Sequence, residues 1–197
     1  LHSNTTASDN TAVGSNALFA NTTGTNLVAV GANALDTNTT GNGNVAIGIS
    51  ALQANTTASH NIAVGQGAMF FNTTGTRNTA VGANGTLTTN TTGNDNVAVG
   101  YVSMSANTTG SNNVAVGSLA LDANTTGQHN VAIGSDALST FDGNYNTAVG
   151  YSAMRLTTTG NHNAAVGKTT LENNTTGFYN NAVGNNTLGA NTTGNQN

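Results

Sequence analysis

The chain repeats itself every 17 residues from end to end. The clearest marker is a Val or Ile followed by Gly, at Gly14, Gly31, Gly48, Gly65, Gly82, Gly100, Gly117, Gly134, Gly150, Gly167 and Gly184. Eight of the ten steps between them are 17 residues long; one is 18, where Gly85 is inserted, and one is 16, where Phe141-Asp142-Gly143 shortens a turn. A unit this short cannot be a domain. It is one coil of a solenoid, which buries its apolar residues only by stacking on its neighbours. Residues 1–197 therefore read as a single tandem-repeat array, expected to be a segment of a longer fibre.

Counted from its marker glycine, each coil reads Asn, variable, Ala, Val/Ile, Gly, two variable, Ala/Ser/Thr, Leu/Met, two variable, Asn, Thr, Thr, Gly, two variable. Apolar residues do not recur at helical spacing. Short β-branched runs punctuated by Gly and Asn predict short strands joined by tight turns. The fold class expected is all-β: a parallel β-solenoid of about eleven coils. Stacking at ~4.8 Å per coil gives a rod of roughly 55 Å. Composition fits and excludes. Only ten residues are charged, three basic and seven acidic, so no basic patch exists for a phosphate backbone and nucleic-acid binding is not expected. No run of about 18 apolar residues is present, and membrane insertion is not expected. Cys and Pro are absent, which removes thiolate metal sites and leaves every backbone N–H free for ladders.

Two columns carry the packing argument. Leu or Met recurs at Leu18, Leu35, Leu52, Met69, Leu87, Met104, Leu121, Leu138, Met154, Leu171 and Leu188, the expected core. Ala recurs two before the glycine, at Ala12, Ala29, Ala46, Ala63, Ala80, Ala98, Ala115, Ala132, Ala148, Ala165 and Ala182. Its neighbour, the Val/Ile column, must face the other way in a strand. A strand constrained on both faces is expected to be buried on both. The reading is that Val/Ile fills the coil and that the Ala stripe lies against a second subunit, or is otherwise tightly packed. A three-fold axis along the solenoid is the simplest closed arrangement, with end-to-end stacking as a further expectation because Leu1 and Asn197 both fall in mid-coil. Asn stands four before the glycine in all but one coil, where Leu27 replaces it; in register its amide can bond coils above and below.

Asn-Thr-Thr begins at Asn4, Asn21, Asn38, Asn55, Asn72, Asn90, Asn107, Asn124, Asn174 and Asn191. Each matches an N-glycosylation acceptor. The competing and favoured reading is the turn chemistry of a coil corner, because the motif follows the coil period. The Thr pairs are expected to divide, one hydroxyl inward and one outward, which allows only a single outward rank for ice binding. His60, His129 and His162 share one variable column with Arg77 and Asp95. His129 and His162 lie two coils apart, too far to share a metal, whereas Arg77 and Asp95 are one coil apart and within pairing reach. The aromatic residues look scattered, so the ladder that would favour glycan binding is not expected. Carboxylates do not cluster, and no nucleophile–base pair recurs. No enzyme, cofactor or metal site is expected.

Asn130-Val131-Ala132-Ile133-Gly134-Ser135-Asp136-Ala137-Leu138 resembles the head repeats of trimeric autotransporter adhesins. Asn72-Thr73-Thr74-Gly75-Thr76-Arg77-Asn78-Thr79-Ala80-Val81-Gly82 resembles more closely the arrays of tail-fibre-like proteins. The likeness covers the whole chain, although the 17-residue coil is longer than the autotransporter head repeat. It implies a left-handed roll in a homotrimer, an extracellular setting on a cell surface or virion, and work as a fibre shaft with adhesion to cell-surface glycan as an added role. The alternative is a binding module, for carbohydrate or, through the Thr rank, for ice.

Overall fold

The computed structural model describes residues 2–197; Leu1, assigned by phase to the Leu/Met column, lies outside them. The chain forms a parallel β-solenoid. Each coil contributes one three-residue strand: β1 (Thr11–Val13), β2 (Val28–Val30), β3 (Val45–Ile47), β4 (Ile62–Val64), β5 (Thr79–Val81), β6 (Val97–Val99), β7 (Val114–Val116), β8 (Val131–Ile133), β9 (Thr147–Val149), β10 (Ala164–Val166) and β11 (Asn181–Val183). They make one 11-stranded parallel sheet in sequence order. The register is in phase with the repeat: Ala98 pairs with Ala115, and Ala115 with Ala132. The insertion at Gly85 and the deletion near Phe141 are absorbed in the turns, because Ala80 still pairs with Ala98 and Ala132 with Ala148.

The rest of each coil also bonds along the axis. Leu35 N–H donates to the Ala51 carbonyl at 3.1 Å, and Gly48 N–H to the Val30 carbonyl at 2.7 Å, in patterns that recur from coil to coil. The path closes because four positions per coil turn left-handed. They are the marker glycine (φ 126° to 150°), the second and fourth residues after it, and the fifth before it, where Asp9, His60, Arg77 and Tyr145 all have φ near 60°. The marker needs glycine twice over. Beyond its φ, a Cβ on Gly14 would stand 2.6 Å from the Gly31 carbonyl oxygen of the next coil.

The fourth position is the Leu/Met column, and it explains a choice that hydrophobicity alone leaves open. All eleven of these residues sit at φ between 49° and 54°. Leu18, Leu35, Leu52, Met69, Leu87, Met104, Leu121, Leu138, Met154 and Leu171 are fully buried, and Leu188 is partly so at the last coil. A left-handed φ is strained for any side chain with a Cβ and worst for β-branched ones. Ile and Val fill the strands of this chain yet never appear in this column.

The strand faces are the reverse of the sequence expectation. The Ala column points into its own coil: from Ala29 to Ala165 it is wholly buried, packed with the Leu/Met column and with Ala17, Ala34, Ala51 and their equivalents. It is tightly packed, but within its own coil rather than against a second copy. Val or Ile follows each Ala, and Val or Ile precedes it in six of the eleven strands; these side chains point outward, and Ile47, Ile62, Val81, Ile133 and Val166 are each about 40% exposed. The physical reason is thickness. The Leu/Met side chain crosses the interior from the opposite wall and leaves room for a single methyl.

Substitution at one buried column position separates conformation from size. Leu121→Met is expected to be close to neutral. Leu121→Ile, of equal volume, is expected to lose about 1–2 kcal/mol more because Ile resists the left-handed φ. Chemical denaturation of both variants checks this; equal stability contradicts the backbone explanation.

Candidate functional site

Among the described residues there is no pocket, and no three His, Asp or Glu side chains converge. What the coil offers instead is a set of columns, each repeating along the axis.

The two asparagine columns are structural. Four before the marker, Asn61 Oδ1 accepts from the Asn78 backbone N–H at 2.9 Å, and Asn61 Nδ2 donates to the Gly75 carbonyl at 2.9 Å. The same pair of bonds recurs at Asn96, Asn113, Asn130 and Asn163. The Asn-Thr-Thr asparagines form the second ladder. Asn107 Nδ2 donates both to Asn90 Oδ1 at 2.8 Å and to the Gly110 carbonyl at 3.1 Å. Asn21, Asn38, Asn55, Asn72, Asn90, Asn107, Asn124 and Asn174 are completely buried, while Asn191 is partly exposed and Asn4 exposed. The nitrogen a glycan would take is therefore committed inside the corner at eight of the ten acceptor motifs. Glycosylation of the folded coil is closed at those eight.

This second ladder breaks in one place. Phe141 and then Thr157 replace asparagine on consecutive coils, both fully buried. Asn124 Oδ1 and Thr157 Oγ1 are left without hydrogen-bond partners. The Phe141 ring takes the space of the missing residue, and glycine at 143 makes that fit, since a Cβ there would meet the ring at 2.6 Å. Asp142 repairs the corner. Its carboxylate accepts from the backbone N–H of Thr125, Thr126 and Gly127 at 2.8–3.0 Å and from the Thr125 hydroxyl. Burial pushes this carboxyl up, but those donors outweigh it and hold it below the ordinary Asp value.

The Thr pairs divide. The first hydroxyl donates to the next coil, as from Thr91 Oγ1 to the Thr108 carbonyl at 3.1 Å, and the second Thr is exposed at Thr40, Thr57, Thr74, Thr92 and Thr109. The result is a single outward file. In the variable column five before the marker, Arg77 and Asp95 form a two-pronged pair, Nε–Oδ1 2.6 Å and Nη2–Oδ2 2.7 Å. The hydrogen bond from Arg77 lowers the Asp95 pKa; both groups are solvent-exposed, so the pair is weakly stabilising.

The same column holds the feature that sequence reasoning missed. His129, Tyr145, His162 and Tyr179 stand on four successive coils with ring centroids 4.9, 5.0 and 4.9 Å apart; the first two pairs are stacked and the last is tilted by 32°. Phe178 adds an edge-on contact to Tyr179 at 5.7 Å. This is a continuous aromatic ladder, contrary to the expectation that the rings are scattered. His129 and His162 are held apart by the Tyr145 ring between them. The signal is in the sequence: the four residues share one phase of the repeat, and the imidazoles of His129 and His162 serve there as rings. The stack covers the same stretch of coils as the break at Phe141 and Thr157. Outward of the core, Asp122 is half-buried with Oδ1 unpartnered. Burial first, and Asp136 nearby, raise its pKa.

No protein-family model, curated protein or solved structure matches the chain.

Two measurements test these assignments. Thr157→Val removes an orphaned hydroxyl at nearly constant shape and is expected to be neutral or stabilising by up to about 1 kcal/mol. Asn90→Leu, in the intact ladder, strands Asn72 Oδ1 and removes one of the two acceptors of Asn107 Nδ2, and is expected to lose about 2–4 kcal/mol. The opposite ranking in urea melts contradicts the ladder. For Asp122 the sign follows from its raised folded pKa. Its contribution is intact below the unfolded pKa and is lost as pH rises through the raised folded value. Asp122→Asn is therefore expected to raise the melting temperature at pH 7 and to give no gain in acid below the ordinary Asp range. A gain that persists there contradicts the assignment.

Proposed function

We propose that this chain is part of the shaft of an extracellular fibre, on a cell surface or a virion, and that its work is mechanical: a rigid spacer. The observation that carries this reading is the axial continuity of the hydrogen bonding. Strands, corners and buried side chains all bond from one coil to the next across the 11-stranded sheet. Bending such a rod requires many short bonds to open together. Length in such an array is a matter of coil number, because each coil contacts mainly its neighbours.

Two experiments test this. Deleting residues 32–65 removes two whole coils in phase, and small-angle scattering should then show a rod shortened by about 10 Å with unchanged cross-section; loss of folding contradicts modular rod behaviour. Antibody against the chain should label filaments outside cells or on virions, and label confined to the cell interior contradicts the fibre reading.

A second reading, carbohydrate binding, is supported by the His129–Tyr145–His162–Tyr179 ladder, with Tyr145 53% and Tyr179 50% exposed. It ranks below the shaft because the ring faces, which sugars stack on, are covered by one another. Glycan-array binding that is abolished by Tyr145→Ala would promote this reading above the first.

A further inference from the structure

We propose that Asn84-Gly85, in the lengthened turn, is a site of spontaneous covalent modification: Asn84 cyclises onto the Gly85 nitrogen, loses ammonia and opens to aspartate or isoaspartate. This rests on the turn alone and is independent of the fibre reading. In an Asn-Gly pair the carboxamide reaches the next backbone nitrogen most readily, because glycine puts no Cβ in its path and leaves the backbone free to turn. The chain holds two such pairs, Asn42-Gly43 and Asn84-Gly85, and the fold treats them differently. At the first, Gly43 N–H donates to the Thr25 carbonyl at 3.0 Å, while Asn42 Oδ1 accepts from the Thr25 N–H at 2.8 Å and from its hydroxyl at 3.1 Å. Both the attacking nitrogen and the carboxamide are pinned to the neighbouring coil. At the second, neither the Gly85 N–H nor the Asn84 side chain has a hydrogen-bond partner among the described residues.

The insertion sets this turn apart. After each marker glycine, the second residue donates its N–H to the first residue's carbonyl on the preceding coil, as Ser50 does to Ala32 at 2.9 Å and Leu119 to Tyr101 at 3.0 Å. Among the described residues this bond is present at nine of the ten steps and missing only from Val102 to Ala83, beside Gly85. A turn with one edge unbonded opens at low cost. Ala83 and Asn84 are exposed to water, and a Cβ on Gly85 would meet nothing nearer than Ser105 Cβ at 3.9 Å, so there is room to close a five-membered ring. Asparagines at the same phase elsewhere lack both features: Asn33 precedes Ala34, whose N–H is bound to the Gly31 carbonyl. The reaction needs only water. The Gly85 nitrogen gives its proton to solvent and bonds to Asn84 Cγ; the Cγ–Nδ2 bond breaks, and ammonia leaves with a proton taken from solvent. Water then adds to one carbonyl of the succinimide. Opening at the backbone carbonyl gives isoaspartate, with the chain rerouted through Cγ, and opening at Cγ gives aspartate. Either product carries a carboxylate where the turn had a neutral amide.

Incubation of the full chain in warm, mildly alkaline buffer, followed by trypsin and mass spectrometry, tests this. Cleavage after Arg77 and Arg155 puts the two pairs in separate fragments, residues 1–77 and 78–155. Fragment 78–155 is expected to gain one mass unit, and to accept methyl groups from an isoaspartyl methyltransferase, about tenfold or more faster than 1–77, whose site must first break its bonds to Thr25. Asn84→Gln, at an exposed position, is expected to abolish that gain. In denaturing guanidinium the two pairs are expected to react at similar rates, because the bonds that distinguish them are gone. No reaction at Asn84 in the folded chain, or a rate equal to that at Asn42, overturns the proposal. So does a gain in 78–155 that persists in Asn84→Gln, or a difference between the pairs that survives denaturation.

Discussion

A buried carboxamide has two donor hydrogens and an acceptor oxygen to satisfy, and in this chain two such groups per coil satisfy one another along the axis. One column ties each coil to the backbone of the next, as Asn61 does to Asn78, and the other runs amide to amide, as Asn107 does to Asn90. The coil interior is too thin to hold a conventional core. The Ala column gives a methyl, Leu or Met spans the gap, and the asparagines close the corners. A 17-residue coil built on so little apolar volume depends on having no unpaired polar group inside, because each one costs about 1–3 kcal/mol. The break at Phe141 and Thr157 shows how that condition is met imperfectly: a ring fills the gap, Asp142 gathers the stranded N–H groups, and two oxygens are still left alone.

The second constraint is conformational. Four left-handed positions per coil bend a short chain through a full circuit. Two of them are held mostly by polar residues or glycine, with Val102 and Leu119 as the exceptions on partly exposed turns, and the marker demands glycine. The fourth is held by Leu or Met at a cost that burial offsets, since a fully buried Leu contributes about 1.5–3 kcal/mol. That balance accounts for Leu and Met in one column and for Val and Ile in another, although both columns are apolar.

Much of the fold was legible because a repeat makes every position speak eleven times. The 17-residue period gave the solenoid, the parallel register and the inward Leu/Met column. The strand faces were not legible. Alternation shows that Ala and Val point opposite ways but not which way is inward, and judging by hydrophobicity favours the wrong side when the interior has room for only a methyl. The left-handed backbone at Leu18 and its equivalents was hidden for a related reason, since Gly and Asn are the residues that announce it. The ring stack was hidden by category: His129 and His162 complete it only when imidazole is counted with the aromatic rings.

The most direct test of this account is hydrogen exchange of the side-chain amides, read residue by residue by NMR. The Nδ2 protons of Asn55, Asn72, Asn90 and Asn107 are fully buried and doubly bonded, and the account predicts exchange slowed by orders of magnitude relative to the exposed amide of Asn4. Exchange at these four residues as fast as at Asn4, in a chain whose strand amides remain protected, would contradict the ladder as the element that holds the coils together.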